Sequence, residues 1–212
     1  MTNLTDNLLN WYSQNKRSLP WRLEKKRQIP YNILISEIML QQTSVNKVIN
    51  YYKKFISKWP DIFYLSKAKL STILLFWQGL GYYNRAINLH KTAKTLCNEY
   101  NGKIPKNYDS LIKLPGIGEY TANAILAIAY NKKTIGIDVN ISRVMSRLYN
   151  LDPKNKKEIF KRTFNLLPEG KSSYLMQALM DIGAKICQKK KTNCVICPLK
   201  KYCNFYLKKK KI

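Results

Sequence analysis

The chain has 212 residues, of which 45% are hydrophobic and 12% aromatic, which excludes a disordered protein and allows one large domain or two small ones. Lysine and arginine total 38 against 12 acidic residues, a formal net charge of +26. Because self-repulsion of this size opposes folding, an anionic partner is expected, first nucleic acid and second an anionic membrane surface.

The sequence has neither a transmembrane segment nor a secretory signal. No apolar stretch reaches the roughly 20 residues of a membrane span. The N-terminus, "MTNLTDNLLNWYSQNK", lacks the basic-then-apolar order of a signal peptide. We therefore predict a protein of the bacterial cytoplasm, with no membrane partner and with cysteines that are reduced or bound to metal.

Amphipathic segments with a 3.6-residue period dominate and strand signals are few, so the sequence predicts an all-α fold. Asp138 is a predicted N-cap, Asn101-Gly102 a predicted helix end and Pro153 a predicted first helical residue. The predicted helices cover residues 5–15, 31–42, 44–58, 69–77, 84–100, 108–114, 119–130, 139–149, 153–167 and 172–187.

Glu37 is the first candidate for chemistry along the chain. In "YNILISEIMLQQTS" its helical neighbours are Ile33, Leu34, Leu40 and Gln41, so the carboxylate would lie on a largely apolar face. Burial there favours the protonated form, which suits a general acid. The alternative is an exposed glutamate at a helix edge.

The stretch "QGLGYYNRA" places two glycines in a loop of aromatic residues, with Trp77 before it and Tyr82 and Tyr83 within it. Such a loop could insert a side chain between stacked bases. The alternative is a packed connection between two helices. The single histidine, His90, is interpreted as structural, since one histidine supports neither a catalytic triad nor a His-ligated metal site.

The stretch "KLPGIGEYTANAILAIAY" interrupts a helical pattern with Pro115, Gly116 and Gly118. Glycines let a backbone approach a partner closely, and the following helix offers unpaired N–H groups at its start. The pattern predicts a helix–hairpin–helix that binds a DNA phosphate. An ordinary tight turn is the alternative, and the net charge favours phosphate binding.

Four of the five cysteines lie within seventeen residues in the pattern C-x6-C-x2-C-x5-C. Thiolates this close predict a metal centre with four sulfur ligands. The wide, asymmetric loops favour an iron–sulfur cluster over zinc. The four are Cys187, Cys194, Cys197 and Cys203, whereas Cys97 is interpreted as a small buried apolar residue.

The ordered set "LPWR", "SEIMLQQT", "GLGYYNRA", "LPGIGEYTA", "DVNISRV" and the cysteine pattern resembles the endonuclease III superfamily of DNA glycosylases, and within it the MutY adenine glycosylases. The resemblance implies two helical lobes with DNA in the cleft. Residues 24–133 would form a six-helix barrel lobe with the hairpin. Residues 1–23 and 134–212 would form the second lobe, with a [4Fe-4S] cluster at 187–203. The family flips a base out of the duplex and hydrolyses its glycosidic bond.

The resemblance also implies roles for individual residues. Glu37 would protonate the adenine ring, Asp138 would stabilise the developing oxocarbenium ion, and Asn140 would order the site. The expected base-pocket residues are Trp21, Arg22, Leu40 and Gln177. The expected DNA contacts are Gln41, Gln42, Tyr82, Gly116 and Gly118.

Tyr120 stands where the strand-cleaving branch of the superfamily has a Schiff-base lysine. A tyrosine cannot form that adduct. The resemblance therefore implies a monofunctional DNA N-glycosylase, which removes the base and leaves the strand intact.

The expected function is base excision repair by a monomer that removes adenine mispaired with 8-oxoguanine or guanine in double-stranded DNA. Because the sequence ends nine residues after Cys203, we expect it to lack the C-terminal NUDIX-like domain typical of the family. That expectation leaves preference for 8-oxoguanine over guanine open. The alternatives are a thymine or uracil glycosylase acting on G·T or G·U mismatches, and a DNA-binding protein without catalysis.

Overall fold

The structure is a computed structural model that describes residues 3–22 and 29–209. Over those ranges it contains helices, 3-10 turns and loops, and its only β feature is one isolated bridge between Cys187 and Thr192. The predicted all-α class is therefore confirmed. In chain order the α-helices are α1 (Leu4–Asn15), α2 (Pro30–Leu40), α3 (Val45–Lys58), α4 (Ile62–Lys67), α5 (Leu70–Trp77), α6 (Asn84–Tyr100), α7 (Tyr108–Ile112), α8 (Glu119–Tyr130), α9 (Val139–Tyr149), α10 (Lys156–Phe164), α11 (Ser172–Lys185) and α12 (Asn204–Lys209).

Two compact units make up the chain. One is formed by Met1–Arg17 together with Asn131–Ile212, and the other by Ser18–Tyr130. The sequence suggested borders after residues 23 and 133, and the first of these falls outside the described residues. None of the helices within 3–22 and 29–209 is both long enough and apolar enough to cross a membrane.

Helix α2 is the centre of the Ser18–Tyr130 unit. Eight of its eleven residues are buried, and it packs against α3, α6 and α8. A helix that is apolar nearly all round belongs in a core, and Pro30 at its start suits the fixed φ of proline. Beside it, the Phe55 ring lies 4.6 Å from the Trp59 ring and 6.1 Å from the Trp77 ring. Each such pair adds about 0.5–1.5 kcal/mol beyond area burial.

Helix α11 is the centre of the other unit and packs against α1 and α9. Asp181 on α11 is fully buried and accepts hydrogen bonds from the Arg17 backbone N–H at 2.9 Å and from Arg17 Nε at 2.5 Å. Removing one partner of a buried ion pair costs about 3–5 kcal/mol. The contact fixes the end of the N-terminal segment to α11.

Helix boundaries test the predicted caps. Asp138 caps α9, and Asn101 ends α6 with φ +51°, so these two predictions are confirmed. The prediction for Pro153 was wrong, because α10 begins at Lys156, where the side chain of Asn155 accepts from the Glu158 N–H at 3.1 Å. The sequence also missed the two six-residue helices α4 and α12, which are too short to show a period.

Candidate functional site

Glu37 lies in the middle of α2 and only 5% of it is exposed. The adjacent residues Ser36 and Ile38 are buried as well. The side chain is therefore largely out of water, as the sequence predicted, and not at an exposed helix edge. A carboxyl group in such surroundings can carry a proton to a bound base.

Asp138 precedes α9 and uses both carboxylate oxygens within its own unit. Oδ1 accepts from the Ile141 N–H at 2.7 Å, and Oδ2 accepts from Asn140 Nδ2 at 2.9 Å. The first bond is the helix cap, and the second fixes the plane of the carboxylate. Asp138 thus has a structural role at the cap that does not prevent a role for its charge.

Asn140 is held in turn by Arg143, whose Nη2 donates to Asn140 Oδ1 at 2.7 Å and to the Gly183 carbonyl at 2.8 Å. Helices α9 and α11 approach closely here, since a Cβ on Gly183 would lie 2.6 Å from the Asn140 Cβ. Arg143 Nε also donates to the Cys187 carbonyl at 2.8 Å. A continuous set of hydrogen bonds therefore joins Asp138 to the cysteine segment. Arg143 and Gly183 were not predicted from the sequence. The available signal was spacing, because Arg143 lies three residues after Asn140 and Gly183 lies four residues before Cys187.

The four clustered cysteines lie between the end of α11 and the start of α12. Burial raises the pKa of the Cys197 thiol to about 11, and the neighbouring thiols add to the increase. Burial also raises the pKa of Cys203. Arg147 Nη1 approaches Cys187 Sγ at 3.3 Å, and the Arg147 guanidinium lies 5.1 Å from the Phe205 ring.

The donor chemistry of this segment fits a sulfur-ligated metal centre. The other three thiols lie close enough to Cys197 to raise its pKa, so the four could ionise together only beside positive charge, such as that of a metal centre. In the described ranges, no three or more His, Cys, Asp or Glu side chains have a geometry that could hold a metal ion. The cysteines therefore match such a centre in chemistry and proximity, while their side chains are not arranged around an ion.

The predicted hairpin joins α7 to α8 through Pro115, Gly116 and Gly118. Gly116 has φ +77°, and a Cβ there would lie 2.9 Å from the Asn88 Cβ. Thr92 Oγ1 donates to the Pro115 carbonyl at 2.8 Å. A Cβ on Gly118 would meet no atom within 4 Å, so the backbone faces open space at the start of α8. The turn is anchored on α6 and presents its second glycine outward.

Tyr120 lies in the first turn of α8 and is partly exposed. Gln41 is the C-cap residue that follows α2, and its Nε2 donates to the Gly116 carbonyl at 3.3 Å and to Thr121 Oγ1 at 3.4 Å. The structure thus brings Gln41 to the hairpin. Gln42 follows with φ +54°, an uncommon conformation for a residue other than glycine.

Tyr82 is 60% exposed and has φ +51°. The loop before it is fixed from the inside: Trp77 Nε1 donates to the Gly81 carbonyl at 3.2 Å, and Tyr51 donates to the Gln78 carbonyl at 2.9 Å. Gly79 has φ +92°, which favours glycine, and a Cβ there would overlap the Tyr51 hydroxyl unless that side chain moved. The loop is held by these hydrogen bonds and leaves more than half of the Tyr82 side chain exposed to solvent.

The four expected base-pocket residues are divided between the units. Trp21 is buried in a 3-10 turn, with its ring 5.3 Å from that of Tyr52 and steeply inclined to it. Arg22 ends that turn, and Leu40 ends α2; each is partly exposed. Gln177 belongs to the other unit, on α11.

Gln177 is only 3% exposed, and its amide is already occupied. Oε1 accepts from the Tyr12 hydroxyl at 3.2 Å, while Nε2 donates to Ser173 Oγ at 2.9 Å and to the Ser173 carbonyl at 3.2 Å. Both amide hydrogens are used, so one lone pair on Oε1 is what remains for another partner. The sequence predicted neither partner: Tyr12 is 165 residues away from Gln177, whereas Ser173 lies one helical turn before it, a spacing that was the available signal.

Over the described residues the fold is built from helices, and a glycine-containing turn joins α7 to α8. This is the architecture of the helix–hairpin–helix class of proteins. The model of the HhH-GPD superfamily of base excision DNA repair proteins matches residues 35–169. The chain belongs to this superfamily, which confirms the predicted resemblance at that level.

Relatives and solved structures extend this likeness over most of the chain. The adenine DNA glycosylase of Buchnera aphidicola subsp. Baizongia pistaciae (strain Bp) is 47% identical over 207 residues, which are 96% of this chain and 58% of the relative. The adenine DNA glycosylase of Homo sapiens is 35% identical over 96% of this chain and 39% of its own length. The chain thus spans less than two thirds of the length of each of these relatives.

Among solved structures, a thermostable thymine-DNA glycosylase superposes with a TM-score of 0.87 and 32% identity, covering 96% of this chain and 95% of the other. A non-covalent endonuclease III–DNA complex superposes with a TM-score of 0.81 at 23% identity, covering 100% of each chain. The second likeness is one of fold.

Proposed function

We propose that this chain is the catalytic part of an adenine DNA glycosylase of base excision repair, which removes adenine mispaired with 8-oxoguanine or guanine. The observation that carries the proposal is the 47% identity to a relative named adenine DNA glycosylase over 96% of this chain. The net charge of +26 supports duplex DNA as the partner. The protein would act as a monomer on chromosomal DNA in the cytoplasm, a location that its bacterial relatives support.

Glu37 would act as the acid that protonates the ring nitrogen of adenine and makes the base a better leaving group. Its burial in α2 supports this role, because a carboxyl group shielded from water can pass a proton directly to a base bound beside it. After departure of the base, the same carboxylate would accept a proton from the attacking water.

Asp138 would stabilise the oxocarbenium ion that develops on the sugar as the glycosidic bond breaks. Its two hydrogen bonds, from Ile141 and Asn140, fix the carboxylate without cancelling its charge. A fixed charge is more effective than a mobile one, since it needs no reorganisation in the transition state.

Tyr120 supports a monofunctional reaction. A phenol does not form a Schiff base with the sugar, so the strand would remain intact after base loss. Gln42, Tyr82 and the amides around Gly116 and Gly118 would bind the duplex, and the exposure of the Tyr82 ring suits insertion beside the flipped base.

The four clustered cysteines would hold a [4Fe-4S] cluster, which when bound would supply a cross-link for the segment between α11 and α12. Arg147, beside Cys187 Sγ, would offset part of its negative charge. Purified protein should absorb near ~400 nm and contain iron. Colourless protein with one zinc would contradict this assignment.

The decisive experiment follows base release from three duplexes, with A opposite 8-oxoguanine, A opposite G, and T opposite G. Gels are run with and without heat and alkali. We expect adenine release from the first two, visible only after alkali. Absence of product from them both would contradict the proposal, and strand breaks without alkali would contradict the monofunctional reaction.

A thymine glycosylase is the second candidate, and the 32% identity to the thermostable thymine-DNA glycosylase favours it. Release of thymine from the G·T duplex, without adenine release from the other two, would select this function.

A further inference from the structure

Arg85, on the first turn of α6, is 8% exposed and joins two turns that are distant in sequence. Nη1 donates to the carbonyls of Met39 at 2.7 Å, Ile38 at 3.2 Å and Gln41. These acceptors lie at the end of α2. One guanidinium nitrogen therefore reaches two of the last carbonyls of that helix, which have no partner within the helix, and the Gln41 carbonyl that follows it.

The other terminal nitrogen, Nη2, bridges to the second turn. It donates to the carbonyls of Gly81 at 2.9 Å and Leu80 at 3.2 Å, and to Thr43 Oγ1 at 3.0 Å. The guanidinium also lies 5.4 Å from the Trp77 ring and 5.6 Å from the Tyr82 ring. A planar group with fixed donor directions can hold two turns at one separation, which a lysine ammonium cannot do.

The residues that follow these acceptors have unusual backbones. Gln41 precedes Gln42 with φ +54°, and Gly81 precedes Tyr82 with φ +51°. Non-glycine residues stay in the left-handed region only where their surroundings over-determine them. Arg85 supplies the shared surroundings of both, and Gln41 in turn donates to the Gly116 carbonyl of the hairpin.

We propose that Arg85 is a positioning residue for recognition of the mispair, setting the separation between the turn at Gln42 and the turn at Tyr82. Its side chain is buried beneath the two turns, so the role assigned to it is indirect. Arg85 acts through Gln42 and Tyr82, and this role rests on their proposed contact with DNA. Loss of the bridge impairs base unstacking more than general duplex binding, which depends on surface charge.

The test compares wild type with Arg85→Lys, which keeps the charge, and with Leu96→Ala as the control. Leu96 is a fully buried residue towards the other end of the same helix, and its side chain has no hydrogen-bond donor or acceptor. Two binding constants are measured, for a fully paired duplex and for one with A opposite 8-oxoguanine. A 2-aminopurine beside the mispair reports unstacking by its fluorescence.

For Arg85→Lys we expect the affinity for the fully paired duplex to stay within about twofold of wild type. The preference, which is the ratio of the affinities for the mispaired and the fully paired duplex, should fall about tenfold. The rise in 2-aminopurine fluorescence on binding should fall with it. Leu96→Ala should lower the melting temperature and leave preference and fluorescence unchanged. An unchanged preference in Arg85→Lys, or an equal loss in Leu96→Ala, overturns the proposal.

Two further results keep the inference separate from the proposed function. If Arg85→Lys does not fold, Thr43→Val takes its place, because it removes a single acceptor of Nη2. This variant should lower the preference for the mispaired duplex about threefold, and an unchanged preference overturns the proposal. Wild type that unstacks the mispair without releasing adenine contradicts the adenine glycosylase reaction, while the loss in Arg85→Lys still supports the positioning role.

Discussion

Replacing Asp138 with asparagine separates its two roles, because asparagine caps a helix as well as aspartate does. The amide oxygen of the new side chain would still accept from the Ile141 N–H, the bond that measures 2.7 Å with aspartate. The amide NH₂ group would then face Asn140 Nδ2, so the bond between these two side chains would be lost. One lost hydrogen bond costs about 1 kcal/mol. We therefore expect the melting temperature to fall by only about 2–4 °C.

The effect of Asp138→Asn on the rate of adenine release should be much larger than its effect on stability. A carboxylate about 4 Å from a developing unit positive charge contributes roughly 4 kcal/mol at an effective dielectric constant near 20. Loss of that contribution slows the chemical step about a thousandfold. The measurement is single-turnover adenine release from the duplex with A opposite 8-oxoguanine, with enzyme in excess, together with a thermal melt followed by circular dichroism.

Asp61→Asn is the matched control, since the Asp61 carboxylate also caps a helix, accepting from the N–H groups of Phe63 at 2.9 Å and Tyr64 at 3.0 Å. Its rate should stay within about twofold of wild type, as for a surface change away from the site. If Asp138→Asn releases adenine within about threefold of wild type, the charge of Asp138 has no catalytic role. Equal losses in the two variants would indicate an effect of folding.

Further substitutions test the hairpin, the cluster and the reaction type. Gly116→Ala should destabilise the fold by about 1–3 kcal/mol and weaken duplex binding, because φ is +77° and the added Cβ would lie 2.9 Å from the Asn88 Cβ. Gly118→Ala is the control: its added Cβ would lie in open space, so its melting temperature should equal that of wild type. Cys197→Ser should lose iron and the absorbance near ~400 nm, and retention of a full iron content would remove Cys197 from the ligand set. Tyr120→Lys should gain a borohydride-trapped adduct with DNA that wild type does not form, and its absence would show that position 120 does not reach the sugar.

Features that depend on neighbouring residues alone could be predicted from the sequence. Asn101 ends α6 through its left-handed backbone, and Asp138 begins α9 through its side-chain cap, and the sequence predicts both helix ends. Glu37 was predicted to be buried because its apolar neighbours recur at helical spacing, and α2 is indeed a core helix. Proline and a cap residue both suit a helix start, but only Asn155, and not Pro153, supplies a side-chain acceptor for a first-turn N–H, and α10 begins after Asn155.

Contacts across long sequence separations could not be predicted from pattern. Arg85 reaches Met39 across 46 residues, and nothing in "GLGYYNRA" identifies its acceptors as backbone carbonyls. Tyr12 reaches Gln177 across 165 residues. A sequence pattern shows which residues share a helix face, whereas the partners of a buried polar group depend on tertiary packing.

If Gln177 contacts the flipped base, as proposed, its occupied amide affects how that base is selected. If the amide were rotated by 180°, Oε1 would face the Ser173 carbonyl, and two acceptors would repel each other. The Ser173 backbone therefore determines the orientation of the amide before any substrate arrives. The loss of side-chain freedom, about 1.5–2 kcal/mol for a glutamine, occurs when the chain folds and not when DNA binds. Any base selectivity that Gln177 contributes therefore depends also on Tyr12 and Ser173, because their hydrogen bonds hold the amide in place.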